Sequence, residues 1–212
     1  MNNNTYFNNL NHYNTNEYLN NMEEYAHKNN VPIIQKEGLD VLLAVIKLHN
    51  VKKILEIGCA IGYSSACFCM QDEEIQVYTI ERDQKMYDLA TNNIKNLGLD
   101  KRINIIFKDA LDVDENSLDK DFDLIFIDAA KSQYIKFFEK FSSNLKQGGI
   151  IFSDNLLFHG LIEEEKGNES KNLKQMLKKI RNFNDYLSNN PNYDTSFLKV
   201  GDGIAISKKK WK

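Results

Sequence analysis

The chain has 212 residues, 42% hydrophobic and 27% charged, enough for one domain with a real core. Its three cysteines, Cys59, Cys67 and Cys69, are odd in number and lack CxxC spacing, which excludes a disulfide framework and argues against zinc, so a reduced cytoplasm is expected. No apolar run is long enough for a membrane span. The net charge of −3 gives no support for a nucleic-acid partner, but it is unevenly spread: residues 166–212 hold 11 Lys and Arg against 4 Asp and Glu, whereas residues 1–165 hold 16 against 26.

The Asn-rich start has neither the basic nor the apolar stretch of a signal peptide and reads as a frayed tail over about 1–15. A helical region follows over 16–50, with one helix at Glu17 to Asn29. From 51 to 212 short apolar runs alternate with amphipathic segments. Strands are expected at 52–58, 75–81, 103–109, 123–128 and 149–154, and helices at about 61–71, 84–97 and 132–145. This alternation predicts an α/β, Rossmann-like fold: a mostly parallel sheet, seven-stranded in all, with helices on both faces and right-handed crossovers. The runs lack strict polar–apolar alternation, as strands covered on both faces should. A loop then leads to a helix at about 170–188, whose apolar positions are Leu173, Met176, Leu177, Ile180, Phe183 and Leu187. Two last strands, 194–200 and 203–208, are joined by Gly201-Asp202-Gly203, a link short enough for an antiparallel hairpin.

Ligands of open parallel sheets bind beyond the carboxyl ends of the strands. Five strands here end in or beside an acid: Glu56, Glu81, Asp109, Asp128 and Asp154. One such acid can simply cap the following helix, but five together point to a shared ligand site. The turn EIGCAIGYSS (56–65) has Gly58 and Gly62 four apart, with Ala60 between. It matches neither the dinucleotide fingerprint nor a P-loop, and Glu56 would repel a pyrophosphate and suit a cationic group. Glu81 stands where an acid accepts hydrogen bonds from ribose hydroxyls. A ribose, an adenine and a positive centre describe S-adenosylmethionine. Asp128, Asp154 and Asn155 form a second group of oxygen donors, with no nearby His or Cys, suited to Mg²⁺, Ca²⁺ or Mn²⁺.

IDAAKSQY (127–134) followed by SDNLLFHG (153–160), with VPIIQKEG (31–38) and VGDGIAIS (200–207), resembles the cation-dependent class I O-methyltransferases that include catechol and caffeoyl-CoA O-methyltransferases. The first motif of that fold is usually ExGxGxG, and Ala60 departs from it. The resemblance implies metal ligands at Asp128, Asp154 and Asn155 and a catalytic lysine at Lys131. It implies S-adenosylmethionine contacts at Ile34, Glu56, Gly58, Ser64, Glu81, Asp109, Ala110 and Asp128. It also implies a homodimer. Within the family the chain is most similar to the compact bacterial branch acting on 5-hydroxyuridine at the tRNA wobble position, whose 5-hydroxyl and 4-oxo groups form a chelating pair. Lys171, Lys174, Lys178 and Arg181 at helical spacing and the KKKWK end (208–212) fit contacts to an RNA backbone, while Glu163-Glu164-Glu165 opposes them. A small catechol-like substrate and a non-catalytic S-adenosylmethionine-binding module are the competing readings. The module has no need of the Asp128, Lys131, Asp154 and Asn155 set. His159 is a further candidate for the substrate pocket.

Overall fold

The computed structural model of the chain describes residue 10 and residues 16–164 and 169–211; the predicted tail at 1–15 lies outside them except for Leu10. Helix α1 (Glu17–Asn29) starts because the Asn16 side chain accepts hydrogen bonds from the Tyr18 and Leu19 amides, and it stops at Asn30, which takes a left-handed conformation. Helix α2 (Lys36–Leu48) turns Leu39, Leu42, Leu43 and Ile46 inward. The chain then runs β1 (Lys53–Ile57), α3 (Tyr63–Cys69), β2 (Gln76–Glu81), α4 (Gln84–Asn96), β3 (Ile103–Phe107), β4 (Phe122–Ile127), α5 (Tyr134–Phe141), β5 (Leu145–Ser153), α6 (Lys171–Ser188), β6 (Tyr193–Leu198) and β7 (Ile204–Lys209).

One seven-stranded sheet has the order β3-β2-β1-β4-β5-β7-β6. The first five strands pair in parallel, and β7 pairs antiparallel with both β5 and β6. Successive residues of β4 feed opposite layers: Leu124 and Phe126 pack with the core residues of α1 to α4, and Ile125 and Ile127 with those of α5 and α6. Every apolar residue of this strand is buried, which is why its sequence shows no polar alternation. Phe122 falls on the α5 and α6 side because the register with β5 slips between Phe122 and Leu124. The second layer is closed by aromatic edges, with Phe183 of α6 meeting Tyr134 at 5.2 Å and Phe138 at 6.2 Å between ring centroids.

The structure redraws three expected elements. The helix expected at about 132–145 is α5 flanked by single 3₁₀ turns, Lys131–Gln133 and Ser142–Asn144. It ends early because buried Asn144 donates its side-chain amide to the Glu115 and Asp119 carbonyls, and Leu145 already pairs with Phe122 in the sheet. The helix at 61–71 contracts to α3, since Gly62 sits at φ +81° and cannot begin it. The final hairpin has a wider turn than expected. Its Asp202 and Gly203 carbonyls accept the Leu157 and Leu156 amides, so the turn is tied to the loop after β5 instead of extending the ladder.

Strands β1 to β5 all point their carboxyl ends the same way, and the acids lie at that end. Helix α6 leaves the loop after β5 and descends to the start of β6, which runs antiparallel to β7. Its N-terminal half, carrying Lys171, Lys174 and Lys178, therefore stands at the same end of the sheet as the acids.

Candidate active site

The chain order reverses between β1 and β4, and an open α/β sheet has its ligand crevice at such a point. There the two strand ends nearly touch. A Cβ placed on Gly58, at φ +102°, would lie 2.1 Å from the Asp128 carbonyl oxygen, so no side chain fits. The turn beyond is pinned along its length. The Gly58 amide donates to the Ile80 carbonyl, the Ala60 amide to Glu81 Oε2 at 2.8 Å, and the Asn93 side chain to the Ile61 carbonyl at 2.9 Å. Ala60 adopts φ +45°, the conformation that a glycine would occupy without strain.

A cavity of about 360 Å³ opens from this crevice. Of the residues predicted to contact a cofactor, Ile34, Gly58, Ser64, Glu81, Asp109, Ala110 and Asp128 all line it, and Lys131 does too. Glu81 is held rigid, since Oε1 also accepts the Arg82 and Asp83 amides, each at 2.8 Å. Asp109 accepts the Leu111 amide at 2.9 Å and the Arg82 guanidinium at 2.9 Å, and these donors hold its carboxyl below the usual range. Arg82, Met86 and Phe137 also line the cavity and were not foreseen. Arg82 had a visible signal, a lone base between two acids directly after Glu81. Phe137 belongs to the apolar face of α5 and is indistinguishable in sequence from a core position.

Glu56 is placed differently. It is fully buried beneath the turn and absent from the cavity wall. The hydroxyls of Ser64, Ser65 and Thr79 all donate to its carboxylate. Its carboxyl group thus ties α3 and β2 together from below, with no face toward a bound cation. Burial pushes it up to about 7, against the three hydroxyl donors, which favour the ionised form.

Asp128, Lys131, Asp154 and Asn155 do converge. Lys131 Nζ donates to Asn155 Oδ1 at 2.7 Å and lies 3.9 Å from Asp128 Oδ1. Asp154 accepts the Asn155 amide on Oδ1 at 2.7 Å, and its backbone carbonyl accepts the Tyr134 hydroxyl at 3.0 Å. Its Oδ2 is buried without a hydrogen-bond partner. Burial, with the neighbouring Asp128 charge, raises the Asp154 carboxyl, while burial raises Asp128 against the pull of Lys131. Two close acids, one with an orphaned buried oxygen, and an amide oxygen make a hard donor set that a divalent cation would satisfy. Among the described residues no three His, Cys, Asp or Glu side chains form such a group, because the third donor is the amide of Asn155. His159 does not line the cavity; its backbone amide is held by Asp202 and its ring is mostly exposed.

Fold and site together define an enzyme of the Rossmann-like methyltransferase class, with a crevice at the β1/β4 reversal and an acid–lysine cluster at its edge. The O-methyltransferase family model matches residues 9–210, so the chain belongs to the O-methyltransferase family. A caffeoyl-CoA O-methyltransferase of Populus kitakamiensis is 32% identical over 185 residues, covering 84% of this chain and 77% of that protein. Among solved structures, a candidate caffeoyl-CoA O-methyltransferase from Staphylococcus aureus is 41% identical with a TM-score of 0.90, covering 97% of this chain and 98% of that one. An O-methyltransferase from Bacillus cereus in complex with SAH has 25% identity and a TM-score of 0.79, covering 92% of each chain. No helix among the described residues is long and apolar enough to cross a membrane.

The Glu56 geometry gives a pH prediction. Its pKa is raised on folding, so the native state holds its proton more tightly. The stability from this group is fully present below about 4.5 and is lost as pH rises through about 7. Glu56→Gln should flatten the fall in unfolding free energy between pH 5 and 8 by an amount on the order of a few kcal/mol. Urea titrations of both proteins across that range read it, and identical pH slopes would contradict the assignment.

Proposed function

We propose that the protein is an S-adenosylmethionine-dependent, divalent-metal-assisted O-methyltransferase whose acceptor carries two adjacent oxygens, and that the acceptor is 5-hydroxyuridine at the wobble position of tRNA. The observation that carries the reaction class is the junction of the cavity with the Asp128, Lys131, Asp154 and Asn155 cluster at the β1/β4 crevice. Glu81 would meet the ribose hydroxyls and the Asp109-Ala110 segment the adenine. Gly58 would leave room for the methionine portion. The metal, held by Asp128, Asp154 and Asn155, would supply Lewis-acid stabilisation of an ionised acceptor hydroxyl. Lys131 lines the cavity beside these ligands and is placed to take the hydroxyl proton or to stabilise the resulting oxyanion. The rigid turn and the clamped Glu81 contribute by fixing the donor relative to the acceptor.

The exposed Lys171, Lys174 and Lys178 on the catalytic end of α6 support the RNA reading, because phosphates need a basic approach. Arg181 is partly committed elsewhere, donating to the Ile162 carbonyl at 3.2 Å. A small catechol-like acceptor is the second reading. It is favoured by Glu163, which pairs with Lys199 at 2.6 Å in the loop after β5, and by the names of the plant relatives.

Two outcomes are expected. EDTA should abolish methyl transfer to a catechol or hydroxyuridine acceptor and Mg²⁺ should restore it; undiminished turnover in EDTA would remove the metal from the mechanism. Nucleoside mass spectrometry of tRNA from a deletion strain should show loss of 5-methoxyuridine and its derivatives with 5-hydroxyuridine accumulating. Unchanged tRNA, with activity on a catechol, would transfer the assignment to small molecules.

A further inference from the structure

Lys131 makes its closest polar contacts with atoms that the metal would also claim. Its ammonium donates to Asn155 Oδ1 at 2.7 Å and faces Asp128 Oδ1 at 3.9 Å. Asn155 and the backbone turn that carries Lys131 are both held in place. Asn155 is fixed at φ +60°, with its amide on Asp154 Oδ1 and the next amide, that of Leu156, on the Gly203 carbonyl. Lys131 belongs to the 3₁₀ turn Lys131–Gln133, closed by the Gln133 amide on the Ala130 carbonyl at 2.8 Å, and its ammonium lies over the Tyr134 ring at 5.9 Å. Its side chain and that of Asp128 are each only 21% exposed, so solvent screens the pair poorly.

We infer that Lys131 is a built-in competitor of the divalent cation: its bond to Asn155 and metal ligation by Asn155 exclude one another, so that metal loading releases the ammonium toward the cavity. The inference rests on the metal reading of Asp128, Asp154 and Asn155. A Mg²⁺ ion on Asn155 Oδ1, at a ligand distance of about 2.1 Å, would lie within about 5 Å of an ammonium bonded to the same oxygen. Like charges at that range in a poorly solvated pocket repel strongly, and the ammonium is the one on a flexible stem. Its exit is the cavity that it already lines. Lys131 would therefore neutralise the acidic cluster before metal arrives and face the acceptor hydroxyl afterwards.

The test is isothermal titration of Mg²⁺ into the wild-type protein, Lys131→Met and Lys131→Arg at one pH and ionic strength. Methionine keeps the apolar stem without the charge, and Lys131→Gln serves as a second neutral variant should the first fail to fold. The neutral variant is expected to bind Mg²⁺ at least about tenfold more tightly than wild type, with Lys131→Arg close to wild type. Equal or weaker binding by a folded neutral variant overturns the inference while leaving the metal site intact. No Mg²⁺ binding by any of the proteins would instead overturn the metal reading, and the inference with it.

Discussion

The near-contact between Gly58 and the Asp128 carbonyl is the constraint on which the site depends. Two neighbouring parallel strands deliver their ends to one point, and the chain must leave them in different directions. The first departs through a turn with positive φ at Gly58, Ala60 and Gly62. The second departs through Asp128 into the short turn that carries Lys131. Because the backbones meet without a side chain between them, the cofactor turn and the acid–lysine cluster are parts of one junction. In the proposed reaction the cofactor turn and the cluster would then be placed relative to each other by backbone geometry.

The five acids at the strand ends share a location and divide by environment. Glu56 is dry and sits under three hydroxyls, where it acts as a buried prop. Glu81 is held by three backbone amides and keeps a face on the cavity. Asp109 is stabilised as an anion by Arg82 and a backbone donor. Asp128 and Asp154 are driven the other way by burial, and Asp154 also by the Asp128 charge, a condition that a bound cation would relieve. Similar carboxylates thus differ in burial, charge and freedom according to the donors that surround them, which is what fits them to the separate roles proposed above.

Much of this was legible in the sequence because it depends on local spacing. The unalternating run at Leu124–Ile127 announces a strand covered on both sides, and an acid at the end of each such run marks the ligand edge. The antiparallel hairpin follows from the brevity of Gly201-Asp202-Gly203. What spacing does not encode is the direction in which a side chain turns. Glu56 occupies a motif position yet points under the turn, because Ser64 and Ser65 begin the next helix directly above it. Asn144 ends α5 by bonding carbonyls some 25 and 29 residues distant, a long-range event without a local signature. Arg82 enters the site through Asp109, just beyond the end of the neighbouring strand β3, a pairing that exists only once the sheet has formed.

The central claim is that the β1/β4 crevice is a cofactor site built around a position where only glycine fits. Isothermal titration of S-adenosylhomocysteine into wild type and Gly58→Ala, with circular dichroism to confirm the fold, tests it most directly. The account predicts one bound molecule per wild-type chain and affinity at least about 100-fold weaker in the variant. Absence of binding by wild type, or equal affinity in a folded Gly58→Ala protein, would contradict it.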